Sequence, residues 1–388
     1  MNKFDFPIFE NNAGLIYLDS AATTFRKPPS VSAAVKRAME TMSSPGRGGY
    51  PAAMLAAETV FNCRMEVAEL FRISNPERVV FTMNATHALN IAIRSLAVPG
   101  GRAVISGYEH NAVTRPLRAI GAEIAVARAP LFHPETVAEV FEHLMTPETR
   151  AVVCNHVSNV FGFIQPIEEL AELCRRKGIP LVVDASQSAG VLPLDLGRLG
   201  ADFAALPGHK GLYGPQGTGV LICREGVNVK PLMEGGTGSL SLRQEMPEFL
   251  PDRLESGTHN VPGIAGLLAG VRYVRRRGVE SICLKERSLT LWLAEELKQI
   301  PNLRVFSEAG LRNQTGVLSV IPEGRDVERI GMVLAEQGVA VRTGIHCAPL
   351  AHDSAGTLKT GTVRISISDW NTLEECVEFL QIFRKVLT

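Results

Sequence analysis

Short β-branched and apolar runs alternate with helical patterns through the first two-thirds of this chain, and that alternation restricts it to a layered class of fold. Strand-like runs fall at Val79–Thr82, Ala103–Ser106, Glu123–Ala127, Ala151–Asn155, Leu181–Asp184, Phe203–Leu206 and Gly219–Ile222. Helical stretches occupy Ala53–Phe71, Thr86–Ala97, Asn111–Ile120, Glu135–Met145 and Ile167–Lys177. Gly100-Gly101, Gly121 and Gly178-Ile179-Pro180 stand where helix ends favour a left-handed residue. Strands that trade places with helices in this way predict an α/β domain on a mostly parallel sheet of seven strands.

From about residue 264 the pattern changes. Helical segments Ala265–Arg277 and Glu280–Ile300 precede a strand at Val317–Ile321 and a helix at Asp326–Gln337. Strands at Ala340–Arg342 and Thr362–Ser368 and a last helix at Leu373–Leu387 follow. This predicts a smaller α+β domain over 264–388 beside a large domain over 16–263, with an arm of residues 1–15 packing on the small one. A chain of 388 residues exceeds what one hydrophobic core usually spans, which agrees with two domains.

The 40 basic and 40 acidic residues balance, so neither nucleic acid nor an anionic membrane is an expected partner. Arg275-Arg276-Arg277 reads as the solvated face of a helix. No apolar run has the length of a signal-peptide core or a membrane span. Seven cysteines stand singly, without a CxxC pair or a His/Cys cluster at zinc spacing. Free thiols, a reducing cytoplasmic setting and no metal are therefore expected.

In such sheets ligands bind beyond the carboxyl ends of the strands, and the chemically capable residues fall there. Val79–Thr82 runs into Met83-Asn84-Ala85-Thr86-His87, with Thr86 opening a helix. A hydroxyl and free N–H groups at that point suit a phosphate, although a threonine there also serves as an ordinary cap. Leu181-Val182-Val183 delivers Asp184, with Gln187 behind it. That carboxylate could pair with a protonated ring nitrogen or cap the next turn. Phe203–Leu206 leads into Pro207-Gly208-His209-Lys210-Gly211-Leu212-Tyr213-Gly214. A lysine held in a glycine-rich loop can form a Schiff base with an aldehyde cofactor, and no Walker-type P-loop competes for that role.

From Tyr17-Leu18-Asp19-Ser20-Ala21-Ala22 to Val363-Arg364-Ile365-Ser366 the chain resembles the fold-type I, class V aminotransferase superfamily. Within it the likeness is to the cysteine desulfurase and selenocysteine lyase branch, and to its short-loop, SUF-type group. The resemblance implies pyridoxal 5'-phosphate (PLP) on Lys210, with His209 and Thr86 at its phosphate. It implies Asp184 on the pyridine nitrogen, Gln187 and Asn159 at the phenolic oxygen, and His110 stacked on the ring as a proton-transfer group. Thr258, in Glu255-Ser256-Gly257-Thr258, is implied to reach the phosphate of a second copy in a homodimer with shared sites.

At the substrate end, Arg342-Thr343-Gly344-Ile345-His346-Cys347-Ala348-Pro349 resembles the loop of the catalytic cysteine. His346 and Arg342 read as positive neighbours favouring a thiolate at Cys347. Arg364, with Asn159, is implied to bind the substrate α-carboxylate. The expected reaction turns L-cysteine into alanine with a persulfide on Cys347, which an acceptor protein then relieves. Selenocysteine lyase, aminotransferase and C–S β-lyase chemistry are the alternatives. Four positions depart from the family pattern: Pro207 where a hydroxyl residue is usual, Gly211 as an extra residue, Tyr50 where relatives carry histidine, and His87 where they carry glutamate.

Overall fold

A computed structural model describes residues 14–46 and 48–387. The expected packing of an N-terminal arm concerns mainly residues 1–13, outside the described residues. Among the described residues, thirteen strands form three sheets. In chain order they are β1 (Ile16–Tyr17), β2 (Val79–Thr82), β3 (Arg102–Ser106), β4 (Glu123–Ala127), β5 (Thr149–Asn155), β6 (Leu181–Asp184), β7 (Phe203–Pro207) and β8 (Gly219–Cys223). There follow β9 (Leu303–Phe306), β10 (Val317–Pro322), β11 (Val339–Ala340), β12 (Arg342–Gly344) and β13 (Thr362–Ser366).

Seven strands make the large sheet in the order β2-β8-β7-β6-β5-β3-β4. Neighbours are parallel except around β8, which runs antiparallel to both β2 and β7. The sheet is buried on both faces, which is why its strands read as near-continuous apolar runs. Val104, Val152, Val183 and Ala204 face one hydrophobic cluster, while Ile105, Val153, Val182 and Phe203 face the other. Gly121 and Gly178 end their helices in the left-handed conformation (φ 77° and 65°), as the sequence predicts. At the end of the helix Ala85–Leu96 the expectation fails: Ala97 is extended, and Gly100 turns later, bonded to the Gly121 carbonyl.

The second sheet has the order β12-β13-β10-β9 and is antiparallel. Leu318, Val320, Val363 and Ile365 pack from it against Leu293 and Leu297 of the helix Val279–Lys298 and Phe379 and Phe383 of Leu373–Val386. Ile16 and Leu18 join this cluster, since β1 pairs parallel with β11. The helix Val261–Arg277 buries Ile264, Leu267 and Val271 in a cluster of the large sheet.

Several elements differ from the sequence reading. The single strand expected at Ala340–Arg342 is two, broken at Val341, because β11 pairs with β1 while β12 pairs with β13. Glu135–Met145 is a short 3-10 turn, Pro134–Thr136, leading into Val137–Leu144. Helices Pro29–Thr41 and Pro51–Leu70 both begin at a proline, which costs no hydrogen bond at a first helical position. The first of them, strand β9 and the short helix Pro349–Ser354 were not anticipated.

Candidate active site

Five strands of the large sheet end on one side, and each ends in a residue with chemical capacity. Thr86 follows β2, His110 follows β3, Asn159 follows β5, Asp184 closes β6 with Gln187 behind it, and His209-Lys210 follow β7. All seven line one cavity of about 220 Å³. Residues up to 124 positions apart meet there because parallel crossovers return each strand in the same direction.

The Lys210 loop is held by its backbone. The Gly208 N–H donates to the Thr218 carbonyl at 2.9 Å, and the Gly214 N–H donates to the Gly208 carbonyl at 2.7 Å. A Cβ on Gly208 would lie 2.1 Å from Thr218 Oγ1, so only glycine fits. A Cβ on Gly211, the extra residue of the motif, would lie 2.4 Å from the Ala189 carbonyl oxygen. The carbonyl of His209, immediately before the lysine, accepts from Lys27 Nζ at 2.8 Å, from Thr24 N and Oγ1, and from Thr23 Oγ1. These donors, more than 180 residues away in sequence, fix the point from which Lys210 projects. Lys27, Thr23 and Thr24 carry no motif that names them in advance.

Burial sets the protonation of the site. It pushes the Lys210 amine down to about 8, against the opposing pull of Asp184 and with the help of Arg364 and Arg342. His209 falls to about 4 for the same reason, and its Nδ1 lies 3.0 Å from Thr23 Oγ1. His110 is also lowered by burial, partly offset by Asp184. Its Nδ1 accepts the Ala112 N–H at 3.0 Å and caps the helix Asn111–Ile120. The neutral ring therefore carries its proton on Nε2.

The helix at Thr86 opens one residue earlier than expected, at Ala85, and Asn84 caps it by accepting the His87 N–H at 2.9 Å. Thr86 is thus not the cap, and its exposed hydroxyl stands free at the helix N-terminus. Asp184 does take the turn-capping role, its Oδ1 accepting the Ser186 N–H at 2.9 Å, while its side chain remains within the electrostatic reach of Lys210 and His110. Gln187 donates from Nε2 to the Ala21 carbonyl at 2.9 Å.

Asn159 and Arg364 meet at the boundary between the two sheets. Arg364 is 2% exposed on β13. Its Nη1 donates to the Asn159 carbonyl at 3.0 Å and its Nη2 to Asp19 Oδ1 at 2.6 Å. Its Nε has no partner, and neither does the buried Asn159 Oδ1. Orphaned buried polar atoms of opposite polarity mark where a ligand would complete the site. The arginine is buried and pairs with the partly exposed Asp19.

Cys347 is exposed, the other cysteines described being buried or nearly so. His346 and Cys347 both adopt left-handed backbone (φ 51° and 57°), a conformation costly for non-glycine residues. The strain is held by three contacts. The Cys347 carbonyl accepts the Asn111 N–H at 2.8 Å, the His346 carbonyl accepts Asn159 Nδ2 at 2.9 Å, and His346 Nε2 lies 3.0 Å from Thr362 Oγ1. The thiol's segment is thereby tied to the neighbours of His110 and to Asn159. His346 is not the positive neighbour expected: burial, helped by Arg364, pushes it down to about 2, so it is neutral. The connection onward to Arg364 is partly helical, with Ala348 and Ala351 fully buried.

Thr258 is exposed and lies outside the cavity, beside Glu255, which Arg64 grips with two 2.8 Å bonds. Tyr50 is 54% exposed, its hydroxyl accepting from Ser43 Oγ at 3.0 Å. A further buried acid escaped the sequence reading. Glu109, 0% exposed, accepts from Ser106 Oγ at 2.6 Å and from the Asn155 N–H at 2.7 Å. Burial, with Asp184 near, pushes it up to about 8, so it is a neutral acid at pH 7. Its place next to His110 was its only signal.

A family model for class V aminotransferases matches residues 16–379. A probable cysteine desulfurase of Xylella fastidiosa 9a5c is 34% identical, over 99% of this chain and 94% of that protein. One from Methanothermobacter thermautotrophicus is 33% identical over 96% and 94%. Against a probable cysteine desulfurase of Mycolicibacterium paratuberculosis, 32% identical, this chain spans 57% of the longer protein. Among solved structures, the apo cysteine desulfurase of Thermococcus onnurineus NA1 superposes with a TM-score of 0.88 at 29% identity, covering 99% of this chain and 96% of that one. That of Escherichia coli gives 0.84 at 26%, covering 98% and 96%. With strand order, lysine loop and family match in agreement, this chain belongs to the class V aminotransferase family.

Proposed function

We propose that the protein is a PLP-dependent cysteine desulfurase that turns L-cysteine into L-alanine and takes the sulfur onto Cys347. The observation carrying this reading is the convergence of Thr86, His110, Asn159, Asp184, Gln187, His209 and Lys210 on one cavity, to which the Cys347 segment is tied through Asn111 and Asn159. The names of the relatives agree with it.

The residues present fit the cofactor. Lys210 would hold it covalently, Asp184 would face its pyridine nitrogen, and Gln187 and Asn159 its phenolic oxygen. The free Thr86 hydroxyl, N–H groups at that helix start and His209 would hold its phosphate. Pro207 adds no hydroxyl, so the phosphate would rely on those groups. When bound, PLP supplies an electrophilic aldehyde carbon for amines and a protonated ring that accepts electrons from the substrate Cα.

Lys210, with an amine near 8, is neutral often enough at pH 7 to 8 to take the Cα proton at Nζ and return it. Glu109, beside His110 in the chain, is kept neutral by burial with Asp184 near. His110 keeps a proton on Nε2, available to a substrate atom. Arg364, preset by Asp19 and the Asn159 carbonyl, offers its unpaired Nε to the substrate carboxylate. Cys347 Sγ attacks the substrate sulfur, and the carbon–sulfur bond breaks. L-cysteine and the thiol are consumed, alanine and the Cys347 persulfide are formed, and atoms and electrons balance. The exposure of Cys347 leaves the persulfide open to an acceptor protein.

Two further parts of the reading rest on the same frame. Thr258, exposed beside the braced Glu255, would serve the phosphate site of a second copy, so the working form would be a homodimer. The chain would divide into a large unit, 16–263, and a small one, 264–388, supported by the two main sheets, with the helix Val261–Arg277 crossing between them.

The test is made on purified protein: absorbance in the Schiff-base region, then alanine and reducible sulfur formed from L-cysteine. The Cys347→Ser variant should keep the absorbance band and lose sulfur transfer by at least about a hundredfold. Sulfur release at the wild-type rate by that variant would refute the role of Cys347. Pyruvate or a keto acid in place of alanine would refute the desulfurase reaction itself.

A further inference from the structure

One face of the small sheet meets the loop that follows β5. Thr362 and Arg364 are two residues apart on β13, and Ser319 of β10 stands opposite Arg364, so the three side chains share that face. Arg364 takes the Asn159 carbonyl, and Ser319 Oγ donates to the Val160 carbonyl at 2.6 Å. Ser319 Oγ also lies 3.1 Å from Thr362 Oγ1, which in turn lies 3.0 Å from His346 Nε2. Ser319 and Thr362 are both 0% exposed, so bulk water does not compete for these partners.

Each hydroxyl carries one proton, and that gives the chain of bonds a direction. A carbonyl can only accept, so the Ser319 proton is committed to Val160, and Thr362 donates to Ser319. Thr362 then has only a lone pair to offer His346, whose Nε2 must carry the ring proton. Nδ1 is left as a lone pair, in agreement with its having no partner among the described residues. The His352 ring stacks on His346 with centroids 5.6 Å apart and covers one face of it. His346 is therefore held at two ends, its carbonyl by Asn159 Nδ2 and its ring by Thr362. Between those ends its backbone is left-handed, and Cys347 follows in the same conformation. Neither residue is a glycine, so the turn persists only while its surroundings over-determine it.

We propose that Thr362 is a positioning residue for the sulfur acceptor: its hydroxyl, oriented by Ser319, fixes the His346 ring and thereby the turn that presents Cys347 Sγ. The inference deepens the reading of Cys347 as that acceptor and rests on it. No proton or electron is transferred along the chain; the neutral His346 ring is held in place, not titrated. A displacement of about 1 Å at a reacting atom can cost about a hundredfold in rate, so even a modest loosening of the turn registers in kcat.

The experiment compares Thr362→Val, Thr362→Ser and Ser319→Ala with the wild type. Valine keeps the shape of threonine without the hydroxyl, and serine keeps the hydroxyl without the methyl. Two quantities are read: kcat and KM for L-cysteine in the holoenzyme, and hydrogen exchange of the Asn111 amide in the apoprotein. Asn111 opens its helix, so its N–H has no acceptor there and its protection depends on the Cys347 carbonyl. Thr362→Val is expected to lower kcat roughly tenfold with KM within about twofold of the wild type. Arg364 keeps Asp19 and the Asn159 carbonyl in that variant, which is why KM holds. Exchange at Asn111 should speed up roughly tenfold as the turn loosens. Thr362→Ser should stay within about twofold of the wild type in both quantities, and Ser319→Ala should move both in the direction of the valine variant. If Thr362→Val fails to fold, Ser319→Ala decides. Unchanged kcat and exchange in Thr362→Val, or a loss that serine does not rescue, overturns the inference. A fall in kcat matched by a rise in KM overturns it too, since Arg364 would then be what moved. Each of these results leaves Cys347 in its role, whereas sulfur release at the wild-type rate by Cys347→Ser overturns the reading beneath.

Discussion

Asp19 and Arg364, 345 residues apart, form a 2.6 Å ion pair at the junction of the two sheets, with the arginine buried and the aspartate partly exposed. The pair sets the arginine, since Asp19 takes Nη2 while the Asn159 carbonyl takes Nη1, leaving Nε unengaged. Asp19→Ala removes the partner of a buried arginine and leaves that charge uncompensated. The expected result is a loss of about 3 kcal/mol in urea unfolding. KM for L-cysteine should rise roughly tenfold, because the guanidinium loses its orientation. A variant with unchanged KM would show that Arg364 holds its place without Asp19.

Asn84 and Thr86 separate two roles that one residue could have filled. Thr86→Ala is expected to weaken cofactor binding roughly tenfold, the worth of one hydrogen bond to a charged group, with little change in unfolding. Asn84→Ala should do the reverse, costing about 1 kcal/mol of stability through the lost cap. Equilibrium dialysis with cofactor and urea titration of each apoprotein distinguish them.

Lys210 has a lowered proton affinity in the folded chain, so its neutral, nucleophilic form is gained as pH rises through about 8. Uptake of PLP by the apoprotein should therefore speed up from pH 7 to 9 and level off above that. An unperturbed lysine would keep accelerating past pH 10. Stopped-flow absorbance at a series of pH values measures the inflection, and an inflection near 10.5 would contradict the desolvated lysine.

Glu109 is an acid raised from 4.5 to about 8 in the folded protein. The folded state then binds more protons than the unfolded one between those values, so the native state loses stability as pH rises through this window. Glu109→Gln abolishes the linkage. Relative to the wild type it should be more stable at pH 8 than at pH 5.5, by at least about 1 kcal/mol. Urea unfolding of the two apoproteins at both pH values tests this, and a difference that does not change with pH would mean that Glu109 is ionised in the fold.

The sequence by itself determined the layered sheet and the residues that decorate it. Strand and helix periodicities are local, and glycines at 121 and 178 stop helices by a local backbone preference. The seven runs of the large sheet therefore come out at their observed positions to within a residue or two, with Asp184 closing one of them and Thr86, His110 and Lys210 just past others. Tertiary structure decided what depends on burial and on partners distant in the chain. It took His346 from a presumed cation to a neutral ring, by placing it where desolvation outweighs its charge. It gave the cap to Asn84, split β11 from β12 by offering each a different partner, and pinned the His209 carbonyl with Lys27. It also brought Asp19 to Arg364. These outcomes are set by desolvation and by contacts across the fold, energies that no local stretch of residues records.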